Sequence, residues 1–220
     1  SKINKVKSTF KKYVSKNIVD KLLENEDSLN LGGTESDITI LFSDIRGFTS
    51  MSEKLNPTQI VKLLNKYFQS MIDVVFKYNG TLDKIVGDEL MVLYGVPLKN
   101  DMDTENAVNT AIEMFKKLDK FNSHIIKEGF EPFSIGIGIN KGKAVSGNIG
   151  SEQQMNYTVI GDTINLGARL CSHAKSGEIL ISNSVKDHIS KIHNFKKIPP
   201  IHVKGKAKPI EVWLYTHKKK

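Results

Sequence analysis

The stretch Thr81-Leu82-Asp83-Lys84-Ile85-Val86-Gly87-Asp88-Glu89-Leu90-Met91-Val92-Leu93-Tyr94 decides the fold. Two short runs rich in apolar residues flank Gly87-Asp88, and that pattern reads as a β-hairpin with a two-residue turn. Upstream, residues 37–42 form a strand. Asn56 and Pro57 then supply an N-cap and a first-turn proline for a long helix. That helix carries Ile60, Val61, Leu64, Tyr67, Phe68, Met71, Ile72 and Val75 inward and ends at Asn79-Gly80. Downstream, residues 104–120 show helical spacing of apolar side chains, and residues 133–140 read as a strand. The order βαββαβ predicts an α+β protein with a ferredoxin-like core.

A C-terminal αβ extension follows the core. Residues 143–150 and 157–160 read as strands, and Asp162 is placed to N-cap a helix over residues 163–173. Two more strands are expected at 178–182 and 212–215, with a polar turn at Val203-Lys204-Gly205-Lys206 between them. Gly136 and Gly138 alternate along one face of the 133–140 strand. Something must approach the backbone closely there, either a packed element or a substrate. The run Gly142-Lys143-Ala144-Val145-Ser146-Gly147 lacks the Gly-Lys-Ser/Thr ending of a phosphate loop and reads as turn and strand.

Asp44 and Asp88 each stand where an apolar strand runs out. In a βαββ arrangement the first strand and the hairpin can be sheet neighbours, which would bring the two carboxylates within reach of shared cations. Without metal the pair would repel and raise each other's pKa. Divalent ions would relieve that repulsion while bridging a polyphosphate. The glycine of Ile45-Arg46-Gly47-Phe48-Thr49 would let backbone amides crowd an anion. Asn165 and Arg169, four apart on one helix, share a face and can address one object.

The composition narrows the class. At 220 residues and 39% hydrophobic content, one substantial core fits and two full domains would be a squeeze. The single Cys171 permits no internal disulfide, and one cysteine with six histidines shows no zinc spacing. No run of 18 apolar residues or signal-peptide pattern appears, so an intracellular, cytoplasmic domain is expected. The net charge of +8 comes from lysines scattered over most helices, which favours a solvated surface over a nucleic-acid partner. Only Arg46 and Arg169 are arginine, both in functional-looking segments, which suits phosphate binding or structural pairing. Residues 1–35 read as an amphipathic linker helix with a Gly32-Gly33 break, and residues 36–220 as the catalytic domain. The helix pattern rests on Phe10, Val14, Ile18, Val19, Leu22 and Leu23.

Three segments resemble the class III nucleotide cyclases: residues 42–49, residues 84–88 and residues 157–170. The likeness spans residues 36–215, and the leader resembles the segment that precedes the cyclase domain in many bacterial multidomain members. A fragment is therefore expected, and its start at Ser1 fits. The resemblance implies that Asp44, Asp88 and the backbone carbonyl of Ile45 hold two Mg²⁺ or Mn²⁺ ions. It places phosphate on the Gly47, Phe48 and Thr49 amides and on Lys204, the purine edge on Lys84 and Thr158, the ribose near Asn165 and the α-phosphate on Arg169. Lys84 with Thr158 implies adenine and a bacterial, subclass IIIb-like enzyme. The implied activity is an adenylate cyclase turning ATP into 3′,5′-cyclic AMP and pyrophosphate, in a homodimer with shared sites and under an upstream sensor or membrane domain.

Rival readings are a guanylate cyclase, a diguanylate cyclase suggested by Gly87-Asp88-Glu89, a catalytically silent nucleotide-binding dimerisation module and a basic nucleic-acid binder. Gly167 stands where the family usually has alanine, which lowers helix propensity by up to about 1 kcal/mol.

Overall fold

A computed structural model of the chain describes residues 2–12, 14–24 and 30–218, with the side chains of Lys7, Phe10 and Leu22 outside the described set. The leader forms two short helices, α1 (Lys2–Phe10) and α2 (Lys16–Glu24), where one was expected. Ser15 divides them. Its carbonyl accepts from the N–H groups of Ile18 and Val19 at 3.0 Å, opening α2 at a residue type that favours helix starts. Ile18 and Val19 are buried, whereas Leu23 of the expected apolar stripe is exposed.

Strand β1 (Gly32–Ile45) begins at the glycine pair expected to break the chain. Gly32 and Gly33 pair with Asn148 and Gly147, and a Cβ on Gly147 would lie 2.0 Å from the Gly32 carbonyl oxygen. Close strand approach is what those glycines permit. A short helix, α3 (Phe48–Glu53), follows, and then α4 (Pro57–Lys77). Asn56 caps α4 with a full capping box: its Oδ1 accepts from Gln59 N at 2.9 Å and its N donates to Gln59 Oε1 at 3.2 Å. The buried stripe of α4 is Leu63, Tyr67, Met71, Val74 and Val75, while Val61 faces solvent.

β2 (Thr81–Val86) and β3 (Glu89–Tyr94) form the expected hairpin, with Gly87 at φ 62° in its turn. After α5 (Asp103–Lys127) comes β4 (Ile135–Gly150), a single 16-residue strand where two had been expected. β5 (Met155–Ile160), α6 (Asp162–His173), β6 (Glu178–Ser182), α7 (Asn183–Lys186), β7 (Lys196–Ile201) and β8 (Ile210–Thr216) complete the chain. The sheet order is β2-β3-β1-β4-β6-β8-β7, with β5 also on β4. β5 and β6 share one edge of β4, pairing with residues 145–150 and 137–139 respectively.

The two-residue period of β1 sorts its side chains. Leu41 and Ile45 pack with α4 and α5, and Ile38, Ile40 and Phe42 pack on the α6 side. Asp44 continues the α6 side and Ser43 the α4 side. Gly136 and Gly138 lie under α6, where a Cβ on Gly138 would be 2.1 Å from Cys171 N. Helix packing, the first of the two expected causes, accounts for Gly138, while at Gly136 the Arg46 side chain and the Ala174 carbonyl take the space. Among the described residues no helix is long and apolar enough to cross a membrane.

Candidate active site

The β1–β3 register ends at Ser43 opposite Leu90, so the β2–β3 turn projects beside the end of β1. That register brings Asp88 to Asp44. Asp88 Oδ2 accepts from Ile45 N at 3.2 Å, which fixes the turn to the strand end. Burial, then the hydrogen bond and charge of Asp44, push the Asp88 carboxyl up to about 7. Glu89 is also raised, by burial and then by Asp44, with Arg46 opposing.

Behind the pair, the Ser43 and Tyr67 hydroxyls are buried without a well-formed hydrogen bond. Burial is the main cause that raises the Tyr67 phenol far above its usual range. Arg46 takes the structural pairing of its two expected alternatives. Its guanidinium lies 3.5 Å from Asp44 Oδ2, donates to the Cys171 carbonyl, and fills the space over Gly136 that a Cβ would need.

Two adjacent carboxylates of this kind suit a hard, oxygen-preferring cation. Among the described residues no group of three His, Cys, Asp or Glu could hold a metal ion. The pair therefore fits Mg²⁺-like coordination, in which one or two carboxylates are joined by waters, carbonyls and substrate oxygens. Next to it, Gly47 at φ 72° opens α3, whose first-turn N–H groups lie beyond the reach of any intrahelical carbonyl. The amides of Phe48 and Thr49 are among them.

Lys84 and Thr158 meet elsewhere. Thr158 Oγ1 donates to Asp83 Oδ2 at 3.1 Å, and Lys84 Nζ lies 3.4 Å from the same oxygen. Both line a cleft of about 970 Å³ together with Lys11, Ser15 and Ile18 of the leader region. The unpartnered polar atoms Ser15 Oγ, Asp83 Oδ1 and Tyr157 Oη belong to residues of this cleft. Asp83 escaped sequence reasoning. Its only sign there is a carboxylate beside Lys84 in an otherwise apolar strand.

On α6, Asn165 is exposed and Arg169 half-buried, packed on the turn at Gly205, where a Cβ would stand 3.2 Å from a guanidinium nitrogen. Lys204 is exposed on that turn. Asp162 does not cap α6 as expected: Gly161 is the N-cap, and Asp162 is the first helical residue, paired with Lys206. Thr163 Oγ1 donates to Lys143 O at 2.6 Å instead. The chain thus joins Asp44 with Asp88, Lys84 with Thr158, and Arg169 with the Lys204 turn. The cleft that holds Lys84 and Thr158 is lined by none of Asp44, Asp88, Asn165, Arg169 and Lys204.

The mixed sheet thus carries a paired carboxylate at a strand end and, apart from it, a cleft lined by charged, polar and apolar side chains. The adenylate and guanylate cyclase catalytic domain family matches residues 33–216, and the chain belongs to it. Enzymes of that family are generally metal-dependent. An adenylate cyclase of Anabaena cylindrica is 33% identical over 224 residues, covering 97% of this chain and 44% of the relative. Adenylate cyclase 1 of Rhizobium meliloti is 28% identical, covering 93% of this chain and 31% of the relative. The chain thus spans less than half the length of either. Among solved structures, the guanylyl cyclase Cya2 is 40% identical with a TM-score of 0.80, covering 83% of this chain and 93% of that one. The adenylyl cyclase CyaB from P. aeruginosa is 36% identical with a TM-score of 0.82, covering 86% and 98%.

Proposed function

We propose that this domain is an adenylate cyclase that converts ATP to 3′,5′-cyclic AMP and pyrophosphate. The observation that carries the reading is the meeting of Asp44 and Asp88, from separate strands, at one locked strand end. Two Mg²⁺ or Mn²⁺ ions, held there with the Ile45 carbonyl, would supply charge neutralisation for the triphosphate and ease ionisation of the ribose hydroxyl. Lys84 and Thr158 hold the adenine edge, and Asn165 orients the ribose. The Gly47, Phe48 and Thr49 amides and Lys204 bind phosphate oxygens.

In the reaction the ribose 3′ oxygen bonds to the α-phosphorus as the bond to the β-phosphate oxygen breaks. Pyrophosphate leaves and the hydroxyl proton passes to solvent. The Arg169 guanidinium, packed on Gly205, has no hydrogen-bond or ion-pair acceptor among the described residues of this chain, which suits a donor for charge growing on the α-phosphate.

The cleft of Lys84 and Thr158 takes in neither the aspartate pair nor Arg169 and Lys204 of the same chain, so a second copy completes each site in a symmetric, head-to-tail homodimer. Exposed apolar residues support that pairing: Ile85 and Val86 follow Lys84, and Val145 faces Ile160 across β4 and β5. The lengths of the curated relatives support an upstream regulatory domain in the full-length protein.

The test is an assay of the purified chain with ATP and Mn²⁺ or Mg²⁺, following cyclic nucleotide and pyrophosphate against protein concentration. Cyclic AMP at a rate per chain that climbs with concentration is the expected result. The 40% identity to a guanylyl cyclase favours GTP as the second reading, and a parallel GTP reaction decides between them.

A further inference from the structure

Asp83 lines the base cleft, and the mechanism above gives it no role. It occupies a β-bulge: the ladder between β2 and β3 shifts between Leu82, opposite Val92, and Lys84, opposite Met91. In a regular strand, consecutive side chains point to opposite faces. The bulge re-aims one of them, so that Asp83 and Lys84 both reach Thr158's side of the cleft. The Asp83 side chain has no solvent exposure, against 48% for Lys84. Its Oδ1 is buried with no hydrogen-bond partner, while its Oδ2 meets both Thr158 and Lys84. Burial raises its pKa, and Lys84 and then Thr158 pull it back.

We propose that Asp83 is a positioning residue that sets base specificity by fixing the hydrogen-bond polarity of Thr158 and the placement of Lys84. A threonine hydroxyl carries one proton and two lone pairs. With that proton committed to Asp83 Oδ2 at 3.1 Å, Thr158 presents only acceptor capacity to a ligand. Lys84, tethered to the same oxygen, presents only N–H donors. An acceptor beside a donor matches adenine, whose amino group donates and whose N1 accepts. Guanine presents the reverse, with O6 accepting and N1–H donating, so both contacts fail. Asp83 touches no base. It acts through its two neighbours, and without it the hydroxyl can rotate to donate and the pair loses its polarity. The inference rests on the assignment of Lys84 and Thr158 to the purine edge.

The experiment compares kcat/KM for ATP and GTP, with Mn²⁺, in the full chain and in Asp83→Asn, Thr158→Val and the double variant. Melting temperatures are recorded alongside. Asp83→Asn keeps the shape, removes the charge that attracts Lys84 and replaces one of the two acceptor oxygens with an NH₂ donor. The expected result is a fall in ATP-over-GTP preference of about tenfold or more, carried mainly by KM, and a much smaller effect of the same change in the Thr158→Val background.

If Thr158→Val shifts the preference and Asp83→Asn does not, the proposal is overturned while the base-reading assignment stands. If neither variant, nor Lys84→Met, shifts the preference, the base-reading assignment itself fails and takes the proposal with it. Should Asp83→Asn mainly loosen the fold, its cost would be equal with and without the Thr158 hydroxyl. That equality would also overturn the proposal.

Discussion

The backbone N–H of Ile45 donates to Asp88 Oδ2 at 3.2 Å, tying the last residue of β1 to the hairpin turn. The bond leaves Asp88 facing Asp44 with its position set by main chain, as a rigid ligand for a cation requires. Replacing either aspartate by asparagine keeps the shape and removes one anionic oxygen donor. Asp44→Asn and Asp88→Asn should each weaken Mn²⁺ binding by tenfold or more, roughly what loss of a supporting group costs a metal site. Titration calorimetry with Mn²⁺ and a non-cyclisable ATP analogue measures it; unchanged affinity would remove Asp44 and Asp88 from the metal site.

Acidity gives an independent handle on the same pair. The folded domain holds a proton on Asp88 up to about pH 7, whereas an unfolded aspartate releases it near 3.8. Over that interval the folded state binds more protons than the unfolded one, so the stability of the metal-free domain falls as pH rises. Metal binding needs the carboxylate and tightens over the same interval. Melting curves in chelator should decline from pH 5 to 7, and those in saturating Mn²⁺ should decline less. Asp88→Asn should flatten the chelator series.

The proposed division of the site between two copies predicts complementation. Asp44→Ala and Arg169→Ala should each be nearly inactive, the latter by roughly a hundred- to thousandfold in rate, as for loss of a transition-state donor. Mixing them should restore activity through one intact site per heterodimer. A mixture no more active than its parts would rule out the shared arrangement.

Helix α6 rests on glycines, and the cost of filling them differs by position. Gly138→Ala would set a Cβ 2.1 Å from Cys171 N and 2.7 Å from the Gly167 carbonyl, both main-chain atoms. A loss of about 3 kcal/mol is expected, at the upper end of overpacking costs. Gly167→Ala meets the Ile40 methyl at 2.9 Å, a side-chain atom that can move. A helix-propensity gain of up to about 1 kcal/mol offsets that strain, and near-neutral stability is expected. Urea unfolding of both variants checks the contrast.

The aspartate pair was legible because a period of two and a Gly-Asp turn fix where β1 and the hairpin end. Other elements were hidden for identifiable reasons. β7 carries Pro199 and Pro200, which argue against a strand; it is tolerated as a sheet edge, and its ladder shifts register across them. The continuity of β4 was obscured by Asn140, Lys141 and Gly142, which look like a turn. Gly142 instead makes room for Thr163, whose hydroxyl oxygen would lie 2.7 Å from an added Cβ. The bulge that turns Asp83 toward Thr158 breaks the alternation from which side-chain direction is read, so local pattern gave no warning of it. Arg46 kept two readings in the sequence because its partner, the Cys171 carbonyl, is 125 positions away.

β1 and β4 are paired without interruption from Gly32 with Asn148 to Ile45 with Ile135. At about 3.3 Å per residue this ladder spans roughly 40 Å, and moving as one body it would be a lever arm that reaches the carboxylates. A one-degree tilt at the leader end sweeps the far end through roughly 0.7 Å at that length. Misplacement on the scale of 1 Å can slow a reaction about a hundredfold. For the proposed reaction, a slight swing of that end relative to a second copy would be enough to change the rate.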